Sequence, residues 1–152
     1  SKESLSEIYD ILKSVTAKIK VVYPVHPRTK KMIDKYHFGR HFEDLDNLLM
    51  IDPLGYIDFM KLVKGSKFVL TDSGGIQEET TVLKVPCLTM RENTERPSTI
   101  KQGTNVLVGR DPTKIKRGMS RILNGRLKKG AIPKYWDGKT AQRIVKIFGK
   151  IF

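Results

Sequence analysis

The chain has 152 residues, with 29 lysines and arginines against 16 acidic residues, a formal charge of +13. At 39% hydrophobic and 30% charged residues it fits a globular domain rather than a disordered chain, and its length suffices for one domain with a real core. No apolar run approaches the ~18 residues of a membrane helix, no secretory leader is legible, and a single cysteine, Cys87, excludes a disulfide framework or a Cys-rich zinc site; the expected compartment is the cytoplasm.

The opening residues read as a helix already under way, with Leu5, Ile8, Tyr9, Leu12 and Val15 at steps of three or four. A chain that begins in this way, at Ser1, is expected to be a piece of a larger protein. Lys18 to Val25 is rich in β-branched residues and ends among Pro24 and Pro27, which predicts a strand. A short helix is expected over Thr29–Tyr36, and a second buried strand over Leu48–Ile51. Asp52-Pro53 signals a helix start, and Tyr56, Phe59, Met60, Leu62 and Val63 form a helical face that Gly65 ends. Phe68–Thr71 is a third strand, Ile76–Lys84 a helix, and Pro86–Met90 and Asn105–Val108 the fourth and fifth strands. Pro112–Leu123 is a helix capped by Asp111. Arg126–Lys134 reads as a basic surface loop. Asp137 is expected to begin a last helix, with Ala141, Ile144, Val145, Phe148 and Ile151 on its apolar face. Short apolar strands alternating with helices predict an α/β fold, a doubly wound and mostly parallel sheet covered on both faces.

Three segments fall where such a fold binds ligands, at the carboxyl ends of the strands. Thr71-Asp72-Ser73-Gly74-Gly75-Ile76-Gln77-Glu78-Glu79 passes from a strand into a helix whose first N–H groups suit an anion. Gly74 and Gly75 let a phosphate reach the backbone, Ser73 can cap the helix and donate its hydroxyl, and Glu79 can accept from a ribose diol. The plain alternative is a tight turn with a conventional cap. Met90–Pro97 shares the rim and carries Arg91 and Arg96, suited to phosphate, or is a solvated loop with an internal ion pair. His26 lines the same rim after the first strand, and a histidine bonded to backbone in a Pro-rigid loop is its better reading. His37 and His41 lack a third ligand, and Gly39 argues against a helix between them, so no metal site is expected. The positive charge supports binding of anions generally. Nucleic acid is not the expected partner, since no base-stacking aromatic pattern, zinc motif or helix-turn-helix is present.

The stretch from Thr71 to Glu79, with Val85-Pro86-Cys87-Leu88, Arg91-Glu92-Asn93-Thr94-Glu95-Arg96-Pro97, Gly103-Thr104-Asn105 and the Tyr135-Trp136-Asp137-Gly138 turn, resembles the non-hydrolysing UDP-N-acetylglucosamine 2-epimerases from about Val21 onward. The resemblance implies a two-domain enzyme of the GT-B type. Residues 1–152 would be its Rossmann-like, UDP-binding C-terminal half, with the N-terminal domain absent. It implies that Ser73 and the Gly74 and Gly75 backbone hold the diphosphate of a UDP-sugar, that Glu79 holds the ribose, that Phe59 meets the uracil through its backbone, and that Arg96 lies near the diphosphate. His26 matches a position near a regulatory UDP-sugar site in bacterial members, although Arg28 stands where the family often has Asn. The implied chemistry is anti elimination of UDP and its re-addition, giving UDP-N-acetylmannosamine, with no NAD, other cofactor or metal. The catalytic carboxylates are expected in the absent first domain, so the chain alone is expected to be inactive, and the full-length protein a homodimer. The resemblance also implies a missing strand directly before Ser1, central in a 3-2-1-4-5-6 order. Two other readings remain: the donor-binding half of a GT-B glycosyltransferase, which the Arg91–Pro97 motif disfavours, and a stand-alone nucleotide- or anion-binding module.

Overall fold

A computed structural model describes residues 1–151. Helix α1 (Lys2–Thr16) leads to strand β1 (Val21–Pro24), then α2 (Pro27–Lys35), α3 (Gly39–Glu43), β2 (Leu48–Ile51), α4 (Tyr56–Gly65), β3 (Val69–Thr71), α5 (Gly74–Leu83), β4 (Cys87–Thr89), α6 (Pro97–Lys101), β5 (Asn105–Leu107), α7 (Pro112–Leu123) and α8 (Thr140–Ile151). All five predicted strands form and every pairing is parallel, as expected of strands joined through helices.

The strands divide into two sheets, β1-β2 and β3-β4-β5. Val21↔Leu48 sets the register of the first, and Thr71↔Thr89↔Leu107 closes the second. α1 spans both. Its Leu5 and Leu12 pack with Val25, Ile33, Phe38 and Phe42 beside β1-β2. Its Ile11 and Val15 pack with Leu88, Val108, Ile115 and Met119 at the larger sheet. β1 and β3 face each other across the division: Ile19 and Val21 share a core cluster with Phe68 and Leu70, yet no backbone pairing joins the two strands among the described residues. This is where the resemblance puts its missing central strand. The N–H groups of Val21 and Val25 bond to Asn47 O and Ile51 O at 2.8 and 2.9 Å, and Val69 N–H bonds to Pro86 O at 2.9 Å. Alternation along a parallel strand therefore turns the amides of Val22 and Leu70 toward the division.

The outer edge of the larger sheet is partly covered at the start of β5. Lys128 donates to the Ile100 and Asn105 carbonyls, the second at 2.9 Å, and Ala131 N–H bonds to Gln102 O at 2.7 Å. The Arg126–Lys134 segment is the mostly exposed loop expected, and it is anchored at its middle, where a Cβ on Gly130 would meet the Gly103 carbonyl carbon at 2.7 Å. Partial burial pushes the Lys128 ammonium below its ordinary pKa.

Four features differ from the sequence reading. Gly39, expected to oppose a helix, opens α3. That helix forms because Phe42, 1% exposed, joins Tyr9 and Phe38 in an aromatic cluster, a tertiary gain that outweighs local propensity. α5 begins at Gly74, ahead of Ile76, and Pro97–Lys101 adds a short helix. α8 begins at Thr140 and not Asp137, whose carboxylate accepts from Lys139 N–H at 3.1 Å and pairs with Arg143 in the preceding turn. The apolar side chains of α8 are exposed, Val145 at 69% and Ile151 at 66%. No helix of the described residues is long and apolar enough to cross a membrane.

The division in the sheet has a measurable consequence. Amide exchange followed by NMR should run at least about tenfold faster at Val22 and Leu70 than at the paired Val21 and Val69. Equal protection at the four positions would mean the inner edges are paired.

Candidate functional site

The carboxyl ends of β3, β4 and β5 deliver three loops to one rim. After β3 the chain turns sharply because Thr71 Oγ1 accepts the Ser73 N–H at 3.1 Å. Ser73 takes the N-cap position of α5, with φ −78° and ψ 131°, but its hydroxyl makes no capping bond. The side-chain cap expected of it is therefore not formed. α7 shows the contrast, since Asp111 accepts from both Thr113 N–H (2.8 Å) and Lys114 N–H (3.3 Å). The positive end of α5 is left without a side-chain acceptor, and Ser73 is exposed.

The two glycines have different neighbours. A Cβ on Gly75 would meet nothing within 4 Å, whereas one on Gly74 would lie 2.6 Å from Glu95 Oε1. Residues four apart share a helix face. The Gly74 face thus continues to Glu78, whose carboxylate pairs with Arg96 Nε at 3.2 Å. The Gly75 face continues to Glu79, which is half-buried and whose side chain forms no hydrogen bond or ion pair among the described residues. Arg91 Nη1 contacts both Glu95 oxygens, at 3.0 and 3.3 Å. The internal ion pair weighed for this loop is thus present together with its approach to the glycine turn. Its own backbone N–H, then Arg91 and Arg96, hold the Glu95 carboxyl below the ordinary range.

A buried hydrogen-bond network fixes this arrangement. Gln77, fully buried, donates to Ser73 O (3.3 Å) and through Oε1 accepts from Thr94 Oγ1 (2.7 Å) and Asn105 Nδ2 (3.0 Å). Asn105 accepts from Thr89 Oγ1 (2.6 Å) and donates to Thr99 Oγ1 (3.2 Å), and Thr99 donates to Arg96 O (2.7 Å). Arg96 N–H in turn bonds to Thr94 Oγ1 at 3.0 Å. Glycine turn and Arg91–Pro97 loop are thereby tied into one unit, and no buried side-chain polar atom among the described residues lacks a partner. Sequence reasoning assigned no role to Gln77, Thr89, Thr99 or Asn105. The available signal was Thr and Asn in strands otherwise apolar, where Asn is disfavoured.

The remaining candidates lie apart. Phe59 is half-buried on α4, which packs against α5. His26 follows β1 of the other sheet as the N-cap of α2; its Nδ1 accepts the Arg28 N–H at 3.2 Å, the backbone-bonded reading. Tyr23 on β1 feels the charge of Asp72, so the two rims adjoin; burial is the main cause that raises its hydroxyl pKa. His37, with φ +56°, precedes α3, so it does not share a helical face with His41. Burial pushes the Cys87 thiol up, which disfavours the nucleophilic thiolate.

A family model described as UDP-N-acetylglucosamine 2-epimerase matches residues 1–149. The UDP-N-acetylglucosamine 2-epimerase of Methanocaldococcus jannaschii is 39% identical over 132 residues, covering 86% of this chain and 36% of that protein. That of Escherichia coli is 37% identical over 134 residues, covering 84% and 34%. Among solved structures, M. jannaschii UDP-GlcNAc 2-epimerase in complex with UDP-GlcNAc and UDP superposes with a TM-score of 0.83 at 36% identity, over 99% of this chain and 41% of that one. The Neisseria meningitidis enzyme bound to UDP-GlcNAc gives 0.80 at 28% identity, over 97% and 41%. The chain spans well under half the length of these relatives.

Replacing Gln77 with Ala strands several buried partners and should cost about 1–3 kcal/mol in chemical denaturation. It should also speed amide exchange at Arg96. Glu78→Gln, which weakens only a half-exposed ion pair, should stay within about 1 kcal/mol.

Proposed function

The chain belongs to the UDP-N-acetylglucosamine 2-epimerase family, and from that membership we propose that residues 1–152 form a single Rossmann-like domain, the UDP-binding half of a two-domain GT-B enzyme interconverting UDP-N-acetylglucosamine and UDP-N-acetylmannosamine. The observation that carries this reading is the α5 N-terminus, which has no side-chain cap and opens to space at Gly75. An anion placed there gains the first-turn N–H groups and the helix dipole together.

In this reading Ser73 Oγ and the Gly74 and Gly75 N–H groups hold the diphosphate. Glu79, one turn on and on the open face, accepts from the ribose hydroxyls. Arg96, held by Glu78 at the neighbouring loop, adds positive charge, and the Phe59 backbone on α4 meets the uracil. During elimination a base takes the C2 proton, the C1–O bond breaks, and UDP leaves with its electron pair. Re-addition returns the proton to the opposite face of C2 and the UDP oxygen to C1. The chain's contribution is to grip the leaving diphosphate and stabilise the charge it gains. The proton-transferring groups belong to the other domain, and this step needs neither metal nor nicotinamide. His26 stands as the candidate residue of a second, regulatory UDP-sugar site, with its capping bond to Arg28 N–H to be given up on binding. We further propose a cytoplasmic homodimer for the full-length protein.

Calorimetric titration with UDP tests the site. Ser73→Ala should weaken binding by about 1.5–3 kcal/mol, the range for a charge-assisted hydrogen bond. Identical binding by both proteins would remove Ser73 from the site. Incubating the chain alone with UDP-N-acetylglucosamine should yield no mannosamine epimer; robust turnover would show that the catalytic groups lie within these 152 residues.

A further inference from the structure

Glu95 brings a carboxylate against the proposed diphosphate cradle, and its position is built rather than incidental. The residues on either side of it are anchored: Thr94 to Gln77 through a 2.7 Å bond, and Arg96 to Glu78 at 3.2 Å. These anchors hold the Glu95 backbone beside the first turn of α5. Its carboxylate then lies against Gly74, where a Cβ would come within 2.6 Å of Oε1. A side chain at 74 would oblige the carboxylate to shift from this place. A negative group in this place is favoured by the helix dipole and by the missing side-chain cap. Arg91 grips both carboxylate oxygens, so the loop's cation suited to phosphate is already engaged.

We infer that Glu95 is the resident anion of the glycine turn, an internal competitor that a diphosphate must displace and that surrenders Arg91 to the incoming phosphate. The inference rests on the nucleotide reading above and adds to it a residue that sets affinity through charge. Displacement requires little rearrangement, because the Glu95 side chain is 54% exposed and can turn to solvent while Thr94 and Arg96 stay anchored. The exchange conserves the pattern of charge. Glu95 gives up Arg91 and its place against Gly74, and the phosphate takes Arg91 together with the uncapped N–H groups of the turn. A ligand without phosphate has no means to drive it.

Calorimetry with UDP and with uridine, on the wild-type chain and on Glu95→Gln, tests this. The variant keeps the side chain's shape and removes its charge. It should bind UDP about threefold to tenfold more tightly, the gain shrinking with added salt, with uridine binding unchanged. In the Glu95→Gln background, Arg91→Ala should abolish that gain. Equal or weaker UDP binding by Glu95→Gln, beside measurable binding by wild type, overturns the inference and leaves the nucleotide reading standing. A matching gain for uridine also overturns it, since the effect would then be steric. Failure of both proteins to bind UDP defeats the nucleotide reading and the inference with it.

Discussion

The amide of Gln77 joins the parts of this site that are distant in sequence. Its nitrogen holds the carbonyl that precedes the glycine turn, and its oxygen holds the loop after β4 and the first residue of β5. Because the group is fully buried, each of its bonds offsets a desolvation cost. Threonines at 89, 94 and 99 and Asn105 complete the network, so helix, loop and strand are specified together. The rim stays open to solvent while its foundation is dry and satisfied, the condition for a preorganised anion site.

A second constraint acts on the sheet. α1 carries two apolar rows, one for each group of strands, and holds the groups side by side although no ladder joins them. A helix entering a parallel strand is half of a strand–helix–strand unit, and the division between β1 and β3 falls where the preceding strand of such a unit would lie. The outer edge at β5 is treated differently, with Lys128 taking the Asn105 carbonyl and Ala131 bonding to Gln102 just before the strand. The chain itself thus blocks the start of one edge and leaves the inner pair unbridged among the described residues.

Much of the fold was legible in local pattern. Apolar runs at 18–25, 48–51, 68–71, 86–90 and 105–108 each contain a strand, and helical spacing with caps located α1, α4 and α7. Strand edges shifted by up to three residues because hydrogen bonding, not hydrophobicity, ends a ladder: Lys18 and Ile19 bond back to Val15 and delay β1 to Val21. α3 was missed because Gly39 argues against helix in isolation, while Phe42 gains more by burial than the glycine costs. Of the candidate residues, Ser73, Gly74, Gly75 and Glu79 lie on α5 and its entry turn, and Arg96 is tied to that helix through Glu78. His26 turns its ring to its own helix instead.

The order of strands and helices, and a glycine turn between a strand and a helix, follow from the amino-acid sequence alone, because periodicity and turn chemistry act within a few residues. The division of the sheet, the tie between residues 77 and 105, and the meeting of Glu95 with Gly74 were decided only in three dimensions. Each joins groups far apart along the chain, and which polar groups find one another depends on how the elements pack, a matter on which local spacing is silent.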